Sequence, residues 1–467
     1  MTDTNLTPEQ MVARVTALRD QLSDDFRDDI VRSIYEQAEN IARRSVKTNE
    51  EKKYDLDQKI DRIVTSPITG LPIMFGLLAL LIWLTVSGAN VVSAWLADIL
   101  FGFGDWARAL FVSLKIPNPI TGFLWDGIYR SLAWVVSVML PPMAIFFPGF
   151  TLLEDLGYLP RVAFNMDWLY KKSGAHGKQS LTMAMGFGCN AAGVIATRII
   201  DSPRERLIAI LTNNFVPCNG RFPTLIMLAT VFVAASFPAW QASVIASATV
   251  VGVVLIGVGF TFLMSWLLSR TILKGEASAF TLELPPYRKP NILRILYTSI
   301  IDRTIFVLWR AMQTAVPAGA ITWLLANIYV GDASVVVHLS NWLNPFGHLF
   351  GLDGVIILSY IIAIPANEIV VPTMMMIYTG AGMMVDAPSS SEAIRTLLVD
   401  QNGWTLLTAV NLMLFALLHN PCATTIVTIY HETKSKKWAI WSVVITLGTA
   451  FIVTFITASI ARLLGWV

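Results

Sequence analysis

Long uncharged apolar runs constrain this chain more than any other feature. Four of them approach or exceed the about 20 residues that a membrane-spanning helix needs, namely 71–87, 131–153, 311–331 and 438–461. The run 222–269 is long enough for two spans with Pro238 at the turn, while 354–378, interrupted by Pro365, and 404–418 are weaker candidates. Only 14% of the residues are charged, against about 25% in soluble domains. We therefore predict an all-α polytopic membrane protein with about eight spans and some broken helices.

The distribution of basic residues predicts the orientation, because Lys and Arg near span ends mark the cytoplasmic side. Basic clusters occur at 43–53, 161–178, 198–206, 270–303 and 434–437, whereas 332–353 has no Lys or Arg and 386–400 is mostly acidic. We expect a cytoplasmic N-terminus and a prokaryotic cytoplasmic (inner) membrane. No signal peptide is expected, since the first apolar run begins near residue 71. The net charge of +2 gives no indication of a nucleic-acid partner.

Four regions are predicted: a cytoplasmic amphipathic helical segment (1–62), a first membrane half (63–270), a cytoplasmic connector (271–303) and a second membrane half (304–467). Helical spacing of apolar residues defines the first region, at Val12, Val15, Leu18, Leu22, Ile30, Ile34 and Ile41. This segment is either a solvated anchor or a docking surface for a cytoplasmic partner. Residues 89–115, which contain Gly102, Gly104 and Asp105, are expected to lie flat at the interface.

The second half echoes the first. The sequence NPCATTIVTIYHETKSKK resembles GCNAAGVIATRIIDSPRER, which pairs Cys422 with Cys189, and Glu368 after Pro365 resembles Glu154 near a span end. Weak internal symmetry with Gly- or Pro-interrupted segments is typical of repeat-built transporters whose site lies between the repeats.

Polar and thiol residues beside these interruptions are the candidate site. Irregular backbone at membrane depth persists only where it is buried in protein or lines a wet cavity. The predicted metal-binding residues are Cys189, Asn190, Cys218, Asn367, Glu368 and Cys422, and the predicted gating or path residues are Glu154, Asn213, Asn214 and His419. Thiol, carboxylate and amide ligands suit Fe(II), Mn(II) or Zn(II), whereas Mg(II) prefers oxygen alone.

Each of these residues also has a structural interpretation. Free cysteine is among the most buried residue types, and Glu154 is equally well explained as an interfacial helix end. Three cysteines in apolar settings do not predict a disulfide framework.

Other chemistries lack their motifs. The sequence contains no GxxxxGK[ST] loop, HExxH motif or paired CxxC, so neither a nucleotide site nor a structural zinc site is predicted. We expect a transporter rather than an enzyme, with no permanently bound cofactor.

Several motifs together resemble one family. EDLGYLPRVAFNMDWLYKKSGAHGKQ followed by GFGCNAAGVIATRIID, then LTNNFVPCNGRFP, IPANEIVVP and NPCATTIVTIYHETKS, are similar to the membrane segments of FeoB-type ferrous iron transporters. The resemblance covers roughly residues 50 to 465 and implies two gate-type repeats that carry Fe(II). It also implies ion handling by Cys189, Asn190, Cys218, Glu368 and Cys422.

One departure affects the energy source. Such transporters ordinarily begin with a GTP-binding domain, but only some 60 residues precede the first apolar run here. Either a separate cytoplasmic G-protein, with a small accessory protein, docks on the N-terminal helices, or transport follows the ion gradient. A homo-oligomer is left open.

Two alternatives follow from the same residues. The chain could be a permease of this architecture for Mn(II), Zn(II) or a nucleoside-like solute. It could instead be a non-transporting membrane subunit that docks a cytoplasmic partner.

Overall fold

The structure, a computed structural model, describes residues 11, 14, 26–45, 51–66, 68–275, 286–385 and 391–465. Within these ranges the chain is helical apart from one antiparallel hairpin, β1 (Tyr329–Val330) with β2 (Ala333–Ser334). Five helical stretches are long and apolar enough to cross a membrane: Asn118–Asp155, Pro203–Val233, Val244–Arg270, Leu406–Thr433 and Lys436–Leu463. The pair Val335–Leu349 and Gly354–Ile362, bent by 110°, brings the number to at most six. This is an all-α polytopic membrane protein, as predicted, and these counts refer to the described residues only.

The helices of the first half follow one another closely. They are α1 (Phe26–Ser45), α2 (Glu51–Val64), α3 (Gly70–Ser113), α4 (Asn118–Thr121), α5 (Arg130–Asp155), α6 (Leu159–Lys172), α7 (Gln179–Gly188), α8 (Asn190–Ala196), α9 (Pro203–Thr212), α10 (Phe222–Leu228) and α11 (Ala239–Arg270). Single turns of π-helix (Gly122–Tyr129, Ala229–Val233) and 3₁₀-helix (Thr197–Ile199, Asn213–Phe215, Asn219–Arg221, Ala234–Ser236) join some of them.

The second half repeats this order. Its helices are α12 (Ile292–Tyr297), α13 (Phe306–Asn327), α14 (Val335–Leu349), α15 (Gly354–Ile362), α16 (Val370–Thr379), α17 (Ser391–Arg395), α18 (Leu406–Leu418), α19 (Ala423–Thr433) and α20 (Lys436–Leu463). Its π-turns are Thr298–Ile305 and Thr396–Asp400, and its 3₁₀-turn is Asn367–Ile369.

Element order defines two structural repeats and corrects the pairing predicted from sequence. A π-turn leads into α5 and into α13, the broken pair α7–α8 corresponds to α15–α16, the pair α9–α10 to α18–α19, and α11 to α20. Cys189 thus corresponds to Ala366, and Cys218, not Cys189, corresponds to Cys422. The predicted pairing of Glu154 with Glu368 is also wrong, because Glu154 ends α5 while Glu368 lies in the break between α15 and α16. Similarity between short sequence segments does not reveal which broken helix pair of one repeat corresponds to which pair of the other.

Four helix breaks in the described part of the chain share one backbone feature, an extended residue immediately before a new helical turn. The extended residues are Cys189, Cys218, Ala366 and Cys422. Three of them follow a proline, which lacks an N–H for the helical ladder and disfavours helical backbone at the residue before it. The exception is Cys189, which follows Gly188.

The two repeats pack closely against each other at small residues of α13 and the start of α5. A Cβ built on Gly319 of α13 would lie 2.5 Å from the Gly127 carbonyl oxygen and 2.6 Å from Ser131 Oγ. Only glycine permits this close approach, in the way that small residues mediate packing between membrane helices.

Most of residues 89–115, which the sequence predicted to lie flat at the interface, continue the helix of the first apolar run. Helix α3 is continuous for 44 residues. Gly104 lies within this helix. A Cβ at this position would be 2.7 Å from the Tyr129 ring, so the glycine allows close packing of the helix against Tyr129. The Tyr129 hydroxyl donates to the Leu100 carbonyl at 2.8 Å.

The N-terminal region is helical where the structure describes it. Ile30, Ile34 and Ile41 of α1 are exposed, and the docking surface stays a prediction; Val12, Val15, Leu18 and Leu22 lie outside the described residues. Helix α2 is fixed to the membrane body by Arg161, whose buried guanidinium donates to both Asp61 carboxylate oxygens at 2.9 and 3.1 Å. The Tyr287 hydroxyl also donates to Asp61, at 2.9 Å.

Candidate functional site

The four helix breaks meet at one narrow cavity of about 30 Å³. This volume is close to that of a single water molecule in the liquid. The polar and thiol residues that line it are Cys189, Asn190, Cys218, Asn219, Asn367, Glu368, Cys422, Thr424 and Thr425. The structure thus brings to one cavity all six residues that the sequence predicted as metal-binding, although they come from distant parts of both repeats.

Each cavity cysteine occupies the N-cap position of a helical turn. Cys189 precedes α8, Cys218 precedes the 3₁₀-turn that leads into α10, and Cys422 precedes α19. Because an N-cap residue has non-helical backbone, its side chain is directed by the break rather than by a helix face. Cys422 Sγ also contacts Thr425 Oγ1 at 3.3 Å, so this thiol has a hydroxyl neighbour one turn along its own helix.

The Glu368 carboxylate lies against the backbone of the opposite repeat. A Cβ built on Gly220 would be 2.3 Å from Glu368 Oε1 and 2.6 Å from Cδ. Glycine at 220 therefore makes the space that the carboxylate occupies. Within the described part of the chain, no cationic side chain forms an ion pair with Glu368.

A buried arginine, not selected in the sequence analysis, ties the two repeats together behind the cavity. Arg221 is 2% exposed, and its guanidinium donates to four main-chain carbonyls, of Asn214 (2.8 Å), Leu417 (2.7 Å), His419 (3.1 Å) and Asn420 (3.3 Å). These carbonyls belong to the ends of α9 and α18, where the breaks leave them without helical partners. A charged residue just after a break in an apolar run was the signal that could have found it.

Three predicted path residues brace the cavity instead of lining it. The side-chain amides of Asn190 and Asn214 lie 2.9 Å apart, and Asn214 donates to the His419 carbonyl at 2.7 Å. Asn213 donates to the Asn190 carbonyl at 3.1 Å. His419 Nε2 lies 3.3 Å from Asn367 Oδ1, so its ring touches a cavity residue from behind.

The structure separates Glu154 from the cavity. Its carboxylate pairs with Arg303 at 3.2 Å and is half exposed. It borders a different, wider cavity of about 480 Å³ that Arg288 and Arg294 also line. Glu154 is therefore placed as a helix-end residue of α5.

The cavity residues do not form a preassembled coordination shell. In the described ranges no group of three or more His, Cys, Asp or Glu side chains is placed closely enough to hold a metal ion. The arrangement is a lining with ligands on several sides, which would need small movements of the breaks to close around an ion.

Comparisons with known proteins agree with this architecture. Residues 136–232 match the Gate family, described as nucleoside recognition, and residues 250–302 match the C terminus of ferrous iron transport protein B. The Fe(2+) transporter FeoB of Staphylococcus aureus strain MSSA476 is 30% identical over 97% of this chain and 67% of its own length. FeoB of Methanocaldococcus jannaschii is 28% identical over 88% of the chain and 60% of its own length.

A third relative joins two proteins in one chain. It is an Fe(2+) transport protein A/Fe(2+) transporter FeoB fusion protein of Porphyromonas gingivalis, 27% identical over 86% of this chain and 51% of its own. No solved structure matches this chain. The similarity to the S. aureus relative runs through both repeats and all four breaks, and the chain therefore belongs to the FeoB family.

Proposed function

We propose that this protein carries Fe(II) across a cytoplasmic membrane, through the cavity between the membrane halves 63–270 and 304–467. The observation that carries the proposal is the meeting of three thiols and one carboxylate at a single cavity. The names of the relatives support Fe(II) as the cargo.

Electrostatics favour a negative ligand such as Glu368 beside any cation in this cavity. Helix N-termini carry partial positive charge, and turns begin at Cys189, Cys218, Ala366 and Cys422 around the cavity. A cation is stable there only if negative ligands outweigh these dipoles. Sulfur and carboxylate ligands together favour a borderline first-row ion over Mg(II) or Ca(II).

An incomplete coordination shell fits a transport path. An ion must bind strongly enough to lose its water and weakly enough to leave again. Ligands from four breaks on two repeats can exchange the ion between them if the repeats move relative to each other, as in repeat-built transporters.

The Gate match raises the nucleoside alternative, and the cavity volume opposes it. Pockets for drug-sized ligands measure roughly 300–1,000 Å³, whereas this cavity measures about 30 Å³. The cavity volume therefore favours an ion over a nucleoside as the cargo.

The N-terminal region and the connector 271–303 are the proposed cytoplasmic side. The Asp61–Arg161 contact gives α2 a rigid attachment to the first repeat, so a protein docked on residues 1–62 could act on the membrane body. A separate G-protein is one proposed partner, and a small accessory protein is another, because one relative is a fusion with Fe(2+) transport protein A.

The test is anaerobic Fe(II) flux into liposomes that contain the purified chain, without nucleotide or partner. Flux that Mn(II) and Zn(II) compete for poorly would support the proposal. Absence of flux that a separate G-protein and GTP restore would mean that the chain is one part of a split transporter. Absence under both conditions would refute transport of Fe(II).

The cavity is tested by Cys189→Ser, which we expect to lower flux about 10- to 100-fold, the usual effect of disturbing a metal site. The matched control is Ala192→Ser, on the same helix α8 and equally buried, which adds a hydroxyl but leaves every thiol in place. Equal flux in the two variants would contradict a ligand role for Cys189.

A further inference from the structure

A second, smaller cavity adjoins the thiol-lined one on the side of α5. It measures about 10 Å³, and Met143, Gly188 and Asn219 line both cavities. Thr85 of α3 lies at its other end. The two cavities are thus successive spaces separated by only a few side chains.

An aromatic ring of the smaller cavity packs on one of the shared residues. Phe146, on the same face of α5 as Met143, is 3% exposed. A Cβ built on Gly188 would lie 2.4 Å from Phe146 Cδ1 and 2.5 Å from Cε1, so the ring rests directly on the Gly188 backbone beside Cys189. The rings of Phe146 and Phe150 stack at 6.1 Å.

Met143 lines both cavities with a side chain that carries a thioether. Leucine would fill nearly the same volume, but it offers no lone pair to a cation. Met139, one turn earlier on α5, also lines the thiol cavity, so two methionines of α5 line it together with the three cysteines. Thioethers are soft, uncharged ligands that favour softer cations over hard, oxygen-seeking ones.

We propose that Met143 is a specificity-determining ligand on the ion path, and that the Phe146 ring is the closure that the ion passes between the two cavities. The proposal rests on the proposed transport function. An ion leaving the thiols would keep a sulfur ligand at Met143 when the ring swings away from Gly188. The uncharged thioether adds no charge that would hold the ion there, so release remains easy.

The decisive measurement is the ratio of Fe(II) to Mn(II) flux in liposomes, for wild type, Met143→Leu and Met413→Leu. Met413 is the matched control, since it is 4% exposed in the same core and lines neither cavity. We expect Met143→Leu to lower the Fe(II)/Mn(II) ratio about fivefold or more, with Met413→Leu unchanged. A packing defect would slow both ions alike and leave the ratio as it was. An unchanged ratio in Met143→Leu overturns the proposal for Met143.

Two further variants complete the test. Met143→Gln keeps the side-chain length and offers an oxygen, so it should shift the ratio further toward Mn(II); a ratio like that of wild type counts against the proposal, even if Met143→Leu cannot be purified. Phe146→Ala should raise flux of both ions by removing the closure, and unaltered flux would refute the closure.

Different results would refute the transport function and the role of Met143. If wild type itself carries no Fe(II) under any condition, the transport function is wrong. If wild type carries Fe(II), Cys189→Ser abolishes flux and Met143→Leu leaves selectivity intact, only the inference about Met143 is wrong.

Discussion

Replacing Gly220 by alanine should separate function from stability in this protein. The new Cβ would lie 2.3 Å from Glu368 Oε1, and ordinary van der Waals separation requires a shift of about 1 Å. The atom that must yield is the end of a flexible side chain, so the strain is relieved by moving the carboxylate. The Gly220 backbone does not adopt a left-handed conformation, which makes alanine acceptable there.

The expected magnitudes follow from this geometry. Stability should change by no more than about 1 kcal/mol, because alanine also restricts the unfolded chain. Fe(II) flux should fall about 10- to 100-fold, the effect of misplacing a functional group by about 1 Å. Thermal unfolding in detergent and liposome flux on the same preparation measure both quantities.

A control and a rescue sharpen this experiment. Gly259→Ala, on α11, meets no atom within 4 Å and should leave flux unchanged. In the Gly220→Ala background, Glu368→Asp shortens the acid and should recover part of the flux, as a double-mutant cycle on contacting residues reveals. Normal flux and selectivity in Gly220→Ala would refute the assignment of Glu368 to the path.

Three more outcomes are expected from contacts outside the cavity lining. Asp61→Asn removes the charge partner of the Arg161 guanidinium, which is 1% exposed. This should lower the free energy of unfolding by about 2 kcal/mol and be seen as a lower unfolding temperature. An unchanged unfolding temperature would show that the contact does not hold α2. Arg221→Lys keeps the charge, but lysine cannot bond to all four carbonyls that the planar guanidinium joins. Both the unfolding temperature and the Fe(II) flux should therefore fall. Wild-type values of both would contradict the proposed role of Arg221 in holding the repeats together. Burial lowers the pKa of His176, in the loop between α6 and α7, so the folded state favours the neutral ring and unfolding takes up a proton. The contribution of His176 to stability should therefore be complete above the ordinary pKa of about 6.5 and decline as the pH falls below that value. His176→Gln should flatten this decline in pH-dependent unfolding curves.

The chemistry of the site was readable from the sequence because the breaks carry local signals. Prolines before Cys218, Ala366 and Cys422 interrupt helices wherever they occur in an apolar run. An acid beside such an interruption is costly in lipid, which makes it a functional candidate, and thiols at the same places have the ligand chemistry of a first-row metal site. The residues selected on these grounds, Cys189, Cys218, Glu368 and Cys422, all line one cavity, and the neighbouring amides Asn190 and Asn367 line it as well.

Four residues that were selected for their polarity alone do not line the cavity. Asn213, Asn214 and His419 stand behind the cavity as hydrogen-bonding braces, and Glu154 belongs to a helix end. Sequence shows that such a side chain needs a partner, but the identity of that partner depends on how distant elements pack. The partner of Asn214, for example, is a carbonyl some 200 residues away in the chain.

The sequence by itself determined the membrane-embedded all-α class, the breaks that follow prolines, and the thiol, carboxylate and amide side chains beside the breaks, since hydropathy and proline act locally. Only the tertiary structure decided which break matches which, that Arg221 joins the two repeats, that Gly220 makes room for Glu368, and that Met143 lies between two cavities. These facts depend on which helices lie against each other, and contacts between distant segments leave no periodic trace in a single sequence.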